Sequence, residues 1–204
     1  MGLENYRRSV SEAKRTAILS AGRSIFLRDG FSRAAVADIA RDADVSTATL
    51  YKHFTSKEEL FAAVVRDTVM NVADFSELIA ADSTLAEIFL RLGRSYLHVQ
   101  FDLKMNDLMR IVIAEATANP ALAQDVTKFM GERRRTRLMA ILDTLVERRM
   151  LRPHDTHLGA LLLAGMIKEL FVWPALFDTN YVLPPDTDDK IGAVADIYIA
   201  RYGA

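Results

Sequence analysis

The chain has 204 residues, 50% hydrophobic and 26% charged, with a formal net charge of −1 and no cysteine. That length carries one ordinary domain, or a small domain fused to a larger one, with a core that needs no staples. The missing cysteines exclude a disulfide scaffold, a thiolate zinc site, an iron–sulfur cluster and a cysteine nucleophile.

Strand signals are nearly absent and helical spacing runs throughout. An all-α fold of about nine helices is expected, at 9–29, 35–42, 46–53, 56–80, 84–101, 106–117, 120–150, 155–172 and 186–202. Three capping boxes are expected, at Ser9–Glu12, Ser56–Glu59 and Thr84–Glu87. Gly30 is placed to end the first helix in a left-handed conformation. Asn119 and Pro120 read as an N-cap followed by proline at the first helical position. Pro153 stops one helix and Asp155 caps the next. Trp173-Pro174 closes that helix or kinks it, and Pro184-Pro185 precede the last. The first three helices are short and tightly joined, whereas the later ones are long and amphipathic. The functional boundary is therefore set at the start of the fourth, giving domains 1–55 and 56–204 with helix 56–80 serving both.

The opening residues carry charge but no apolar stretch. The longest apolar run, Gly159–Ile167, is too short to cross a bilayer and stops at Lys168 and Glu169. A soluble cytoplasmic protein without a membrane partner is expected. Residues 1–60 hold ten Lys/Arg against eight Asp/Glu, and the remainder sixteen against nineteen, a slight basic bias toward the N-terminal end.

The segment AVADIARDADVSTATLYKHF, Ala35–Phe54, is the most informative. Val36, Ile39 and Ala40 give a short helix an inner face. Asp44 occupies a turn position that needs the left-handed region, and Ser46 can cap a second short helix. Two helices joined this way form a helix-turn-helix unit. At about 100° per residue, Leu50 and Phe54 fall on one face of the second helix and Ala48, Tyr51 and Lys52 on the other, with Thr47 and Thr49 at the flanks. Such an outer face suits a DNA major groove. Thr47 and Thr49 can bond base edges, and Ala48 can lie against a thymine methyl. Tyr51, Lys52 and His53 can reach phosphates, and Lys57 with the free amides at the start of the next helix adds another phosphate contact. The plain alternative is a solvated helix face with a core role for Tyr51. Arg7, Arg8, Lys14 and Arg15 read as a solvated terminus, or as an arm reaching the DNA backbone or minor groove.

Residues 14–61 resemble the N-terminal domain of the TetR/AcrR family of transcriptional regulators. The resemblance is carried by Ile18, Ala21, Phe26, Gly30-Phe31, Val36, Asp38-Ile39-Ala40, Val45-Ser46, Thr49-Leu50-Tyr51, His53-Phe54 and Ser56–Leu60. It implies an all-helical homodimer whose first three helices bind a palindromic duplex operator and whose C-terminal domain holds a small-molecule effector. Two positions depart from the family pattern. Ala34 and Ala35 stand where Thr or Ser is usual, so the phosphate contact made there is lost or passes to Ser32 or Arg33. Asp44 stands where the turn usually has glycine.

In the C-terminal part, Tyr96, Phe101, Met105, Met109, Phe129 and Trp173 are candidates to line an apolar ligand site, with His98 and Glu115 as polar contacts. The same residues at helical spacing also suit an ordinary core. The run Arg133–Arg137 is read as a solvated surface, with the anchoring of an anionic ligand as the lesser alternative. His154 and His157 offer only a faint metal pattern, explained as well by capping, and no metal or other cofactor is expected. Leu158, Leu162 and Met166 on one helix, with Val194 and Tyr198 on another, are candidates for a two-fold helical dimer interface. No phosphate loop or nucleophile elbow supports an enzyme, and no catalytic residue is assigned. Control by a protein partner rather than a small molecule stays open.

Overall fold

A computed structural model of the chain describes residues 2–70, 79 and 82–204. The helices are α1 (Leu3–Arg33), α2 (Val36–Asp42), α3 (Thr47–His53), α4 (Lys57–Met70), α5 (Leu85–Phe101), α6 (Met105–Glu115), α7 (Pro120–Glu147), α8 (Thr156–Ile167), α9 (Trp173–Phe177) and α10 (Thr187–Tyr202). A π-helical turn, Lys168–Val172, joins α8 to α9. Among the described residues there is no strand, only one isolated antiparallel bridge between Leu151 and Gly203. The chain is all-α, as its periodicity indicates. The part of the expected helix 56–80 beyond Met70 lies largely outside the described residues.

The contacts divide the chain into two units. The first takes the segment before residue 72 together with Asp107–Thr127, and the second takes the remainder. Helices α6 and α7 each contribute residues to both.

In the first unit, α1 packs along α4. Phe61 of α4 stands edge-on to both Phe26 and Phe31, at centroid distances of 5.0 and 5.5 Å. Ile18, Ile25, Leu60 and Val65 complete this buried core. Gly30 interrupts α1 at φ 78°, a region L side chains avoid. That turn directs the buried Phe31 into the core. The box expected at Ser9 does not form, because α1 continues back to Leu3 and places Ser9 and Glu12 inside it. No proline or glycine between residues 3 and 9 stops the helix.

The other two boxes form differently. At Thr84 both reciprocal bonds are made. At Ser56 the hydroxyl accepts from the Glu59 amide at 3.0 Å. The Glu59 carboxylate, however, accepts from the amide and hydroxyl of Thr55, both at 2.6 Å, one residue earlier than expected. Those bonds hold the Glu59 and Glu87 carboxyls below the ordinary glutamate range. Asp155 caps α8 through the Leu158 amide at 3.0 Å.

The second unit is cored by Ile88, Phe89, Leu92, Leu142, Leu145, Leu163, Phe171, Ile191 and Tyr198. Helices α5 and α10 approach so closely at Gly93 that a Cβ there would lie 2.5 Å from Ile191 Cγ2. Gly93→Ala is therefore expected to destabilise the protein by about 1–3 kcal/mol, a typical overpacking penalty. A thermal melt checks this, with a midpoint lower by roughly 2–4 °C per kcal/mol at this size.

Pro174 does not end the helical path. Its missing amide cannot serve the Leu170 carbonyl, and the π-turn takes up the break before α9 begins. The Leu170 carbonyl instead accepts a long hydrogen bond, 3.4 Å, from the Tyr181 hydroxyl.

Candidate nucleic-acid interface

The turn between α2 and α3 is built on Asp44 at φ 52°. The Asp44 amide bonds the Arg41 carbonyl at 3.1 Å and the Val45 amide bonds the Ala40 carbonyl at 2.9 Å. This is a Schellman closure made without glycine. Ser46 then starts α3, its oxygen accepting from the Thr49 amide at 3.1 Å and lying 2.9 Å from the Thr49 hydroxyl. The turn and cap fix how α3 leaves α2.

Leu50 and Phe54 hold the inner edge of α3, at 0% and 1% exposure. Thr47, Ala48, Tyr51 and Lys52 are exposed, Tyr51 at 48%. Thr49 and His53 flank them, half-buried. One edge of α3 is thus anchored and the other is clear over two turns. Among its hydroxyls, Ser46 and Thr49 are joined in the cap, whereas Thr47 takes no part in it. Arg41 is held by Asp38 at 2.7 Å and Asp42 at 3.6 Å, so that cation is balanced within α2.

Two expected phosphate contacts take internal partners instead. The Lys57 ammonium donates to the carbonyls of Ser32 and Ala34, at 3.2 and 3.1 Å, and sits 4.6 Å from the centre of the Phe31 ring. The end of α1 needs acceptor partners, and Lys57 supplies the donor. Ser32, a possible replacement for the hydroxyl missing at Ala34 and Ala35, donates to Glu115 at 2.5 Å. Ala35 begins α2 without a side-chain cap. Arg33 remains exposed, its Nε donating to the Asp29 carbonyl at 3.0 Å. Arg7, Arg8, Lys14 and Arg15 are exposed along helical α1 rather than on an irregular arm, and Arg15 lies over the Phe54 ring at 5.0 Å.

The residues expected to line a ligand site are divided. Met109 and Glu115 fall in the first unit, and Tyr96, His98, Phe101, Met105, Phe129 and Trp173 in the second. Glu115 is buried and its carboxylate accepts from Ser32 and from the Asn119 amide, so internal bonds replace its expected ligand contact. The same bond takes the Asn119 side chain away from capping α7. His98 is exposed and 2.7 Å from Asp102. Trp173 is largely exposed and stands edge-on to Phe177. Phe101 faces Tyr181 at 6.0 Å, Met105 is fully buried and Phe129 is partly buried.

The expected dimer residues also separate. Leu158 and Leu162 are exposed on α8, and Met166 is partly so. Val194 and Tyr198 are buried inside the second unit, which overturns their assignment to an interface. The Tyr198 hydroxyl bonds His154 Nε2 at 2.8 Å, and its ring packs on Phe89 at 5.3 Å. His154 Nδ1 donates to the Arg152 carbonyl at 2.8 Å, so both of its ring nitrogens are engaged structurally. On α10 the outward residues are Ala193, Ile197 and Ala200. Ile197, 60% exposed, was not anticipated, since a single isoleucine among polar neighbours gives no periodic signal. Helix α10 packs against α8, whose Leu161 is also exposed.

Comparison with known proteins places these features in a family. Residues 18–64 match the domain described as bacterial regulatory proteins, tetR family, and residues 87–204 match the C-terminal domain of AefR-like transcriptional repressors. The HTH-type transcriptional regulator UidR of Escherichia coli (strain K12) is 31% identical over 133 residues, covering 61% of this chain and 66% of UidR. This alignment therefore spans just under two thirds of that relative. A TetR-family transcriptional regulator from Mesorhizobium loti aligns over 95% of this chain and 98% of its own, with a TM-score of 0.85 and 26% identity. The flavonoid-responsive regulator FrrA aligns over 93% and 97%, with a TM-score of 0.69 and 25% identity.

Proposed function

The chain belongs to the TetR family of bacterial transcriptional regulators, and on that premise we propose that it is a cytoplasmic repressor that binds a palindromic operator as a homodimer and is released by a small apolar or amphipathic molecule. The observation that carries this reading is the clear outer edge of α3, opposite the buried Leu50 and Phe54. Thr47 and Thr49 read base edges, Ala48 lies against a thymine methyl, and Ser46 orients the end of the helix. Tyr51, Lys52, His53 and Arg33 contact phosphates and set the register. Lys57 acts one step back by holding the end of α1.

Support for the homodimer comes from α8 and α10. The stretch Thr156–Phe177 has a mean hydropathy of 1.7 over its most apolar window, of which 33% is buried. By length and composition alone it could cross a membrane. A second copy covering Leu158, Leu161, Leu162, Met166 and Ile197 accounts for the same face and gives the pairing a palindrome requires. The AefR-like match supports repression. FrrA, named for its response to flavonoids, supports a small aromatic effector. The effector acts by favouring a dimer whose two α3 helices stand at the wrong separation, and it shifts DNA affinity only by its own preference between the two states.

Selection of bound duplexes from a random pool tests this function. An inverted repeat is expected to emerge. An enriched single asymmetric site, or no enrichment over non-specific binding, would refute the reading.

A further inference from the structure

The arginine run on α7 and the π-turn after α8 have no task in reading DNA. Arg134 of α7 hydrogen-bonds the phenol of Tyr96 on α5 and acts on the ammonium of Lys168, the first residue of the π-turn. All three lie in the second unit and are partly buried. They converge from three elements over an apolar floor. Tyr96 and Leu138, one turn on from Arg134, pack on the core, and Phe171, three residues after Lys168, belongs to it.

Among the described residues, neither Arg134 nor Lys168 is in ion-pair contact with a carboxylate. Two like charges held together out of bulk water, without a counter-ion, oppose each other. Burial, and then the charge of Arg134, push the Lys168 ammonium below the ordinary lysine range. Burial pushes the Tyr96 phenol up to about 12 against the pull of Arg134, so it remains a neutral partner for the guanidinium.

Two further observations bear on the same unit. A π-turn is rare and tends to occur at functional sites, and this one begins at Lys168. Asn106 is 4% exposed with neither amide atom hydrogen-bonded, and Arg133 Nε is likewise buried without a partner. Such groups are ordinarily satisfied by a bonded neighbour or by a guest. The unit therefore presents donors in excess and no acid to answer them.

We propose that the second unit binds an effector bearing a carboxylate on an apolar, aromatic-sized body, with Arg134 and Lys168 taking the carboxylate and Tyr96 positioning the guanidinium. The arginine fork matches the two carboxylate oxygens, and the lysine adds a second charge. This rests on the reading of the unit as an effector-binding domain and names the chemistry of its ligand.

Calorimetric titration of the full-length protein with 2-naphthoate and with its neutral counterpart 2-naphthamide tests the proposal. The acid is expected to bind at least tenfold more tightly than the amide. Lys168→Met and Arg134→Gln should each weaken naphthoate binding at least tenfold and leave naphthamide within twofold. Arg135→Gln should change neither, and unchanged thermal midpoints should show that all three variants fold. Equal affinity for acid and amide, unchanged naphthoate binding in both variants, or no binding of either compound would overturn it. Operator release by a neutral compound alone would preserve the effector reading and sink this proposal. Charge-dependent naphthoate binding that never alters operator affinity would do the reverse.

Discussion

Ala48→Glu is expected to abolish specific operator binding while leaving the fold and thermal midpoint unchanged. Ala48 is exposed on α3, and glutamate is among the better helix formers, so the free protein accommodates it. In the proposed complex the new carboxylate enters a groove walled by phosphates, where like-charge juxtaposition costs several kcal/mol. A palindrome is read by two copies of α3, so the penalty is counted twice. Affinity for the selected operator should fall by more than about 1,000-fold, to the level of non-specific duplex.

Lys52→Ala provides the contrast, because it removes one phosphate contact per subunit and no base contact. Binding should weaken evenly across sequences, and the slope of log K against log salt should become shallower by about 0.9 per lost phosphate contact. Fluorescence anisotropy with operator and scrambled duplexes at several salt concentrations measures both variants. An Ala48→Glu protein that still discriminates operator from scrambled DNA would show that this edge does not enter the groove.

Leu162→Arg is expected to dissociate the dimer and, with it, operator binding. Leu162 is 47% exposed, so the subunit tolerates the change. In a two-fold interface the arginine occurs twice, and an unpaired charge buried in an interface costs about 3–5 kcal/mol. The dimer constant should weaken by at least about 10,000-fold. Sedimentation equilibrium should then give the chain mass of 22.8 kDa for the variant and twice that for the parent. Ile113→Arg, an equally exposed change in the first unit, should leave the dimer intact. A parent protein that sediments as a monomer, or is recovered only with membranes, would remove the dimer from the account.

Much of the fold was legible because it depends on local chemistry. Gly30 and Asp44 both take the positive φ their positions required, and Thr84 and Asp155 cap as their side chains allow. The inner edge of α3 was legible too, since Leu50 and Phe54 are separated by one turn. What was not legible depends on distant partners. Nothing near Lys57 in sequence shows that the end of α1, 25 residues earlier, needs its ammonium at Ser32. Nothing near Glu115 shows Ser32, 83 residues away. Helix α10 carries an inner stripe, with Val194 and Tyr198, and an outer patch at Ile197. Periodicity finds the stripe without showing which side faces its own core. The closeness of Arg134 and Lys168 is likewise a product of packing between elements, and the arginine run alone suggested only a solvated surface.

The central claim is that two copies of α3 enter the major groove together. Methylation protection on the selected operator tests it directly, because guanine N7 lies in the major groove and adenine N3 in the minor groove. The account predicts two patches of protected guanine N7, related by two-fold symmetry and centred about 10 base pairs, or a multiple of that, apart on one face of the duplex. Protection at a single patch, or confined to adenine N3, would contradict it.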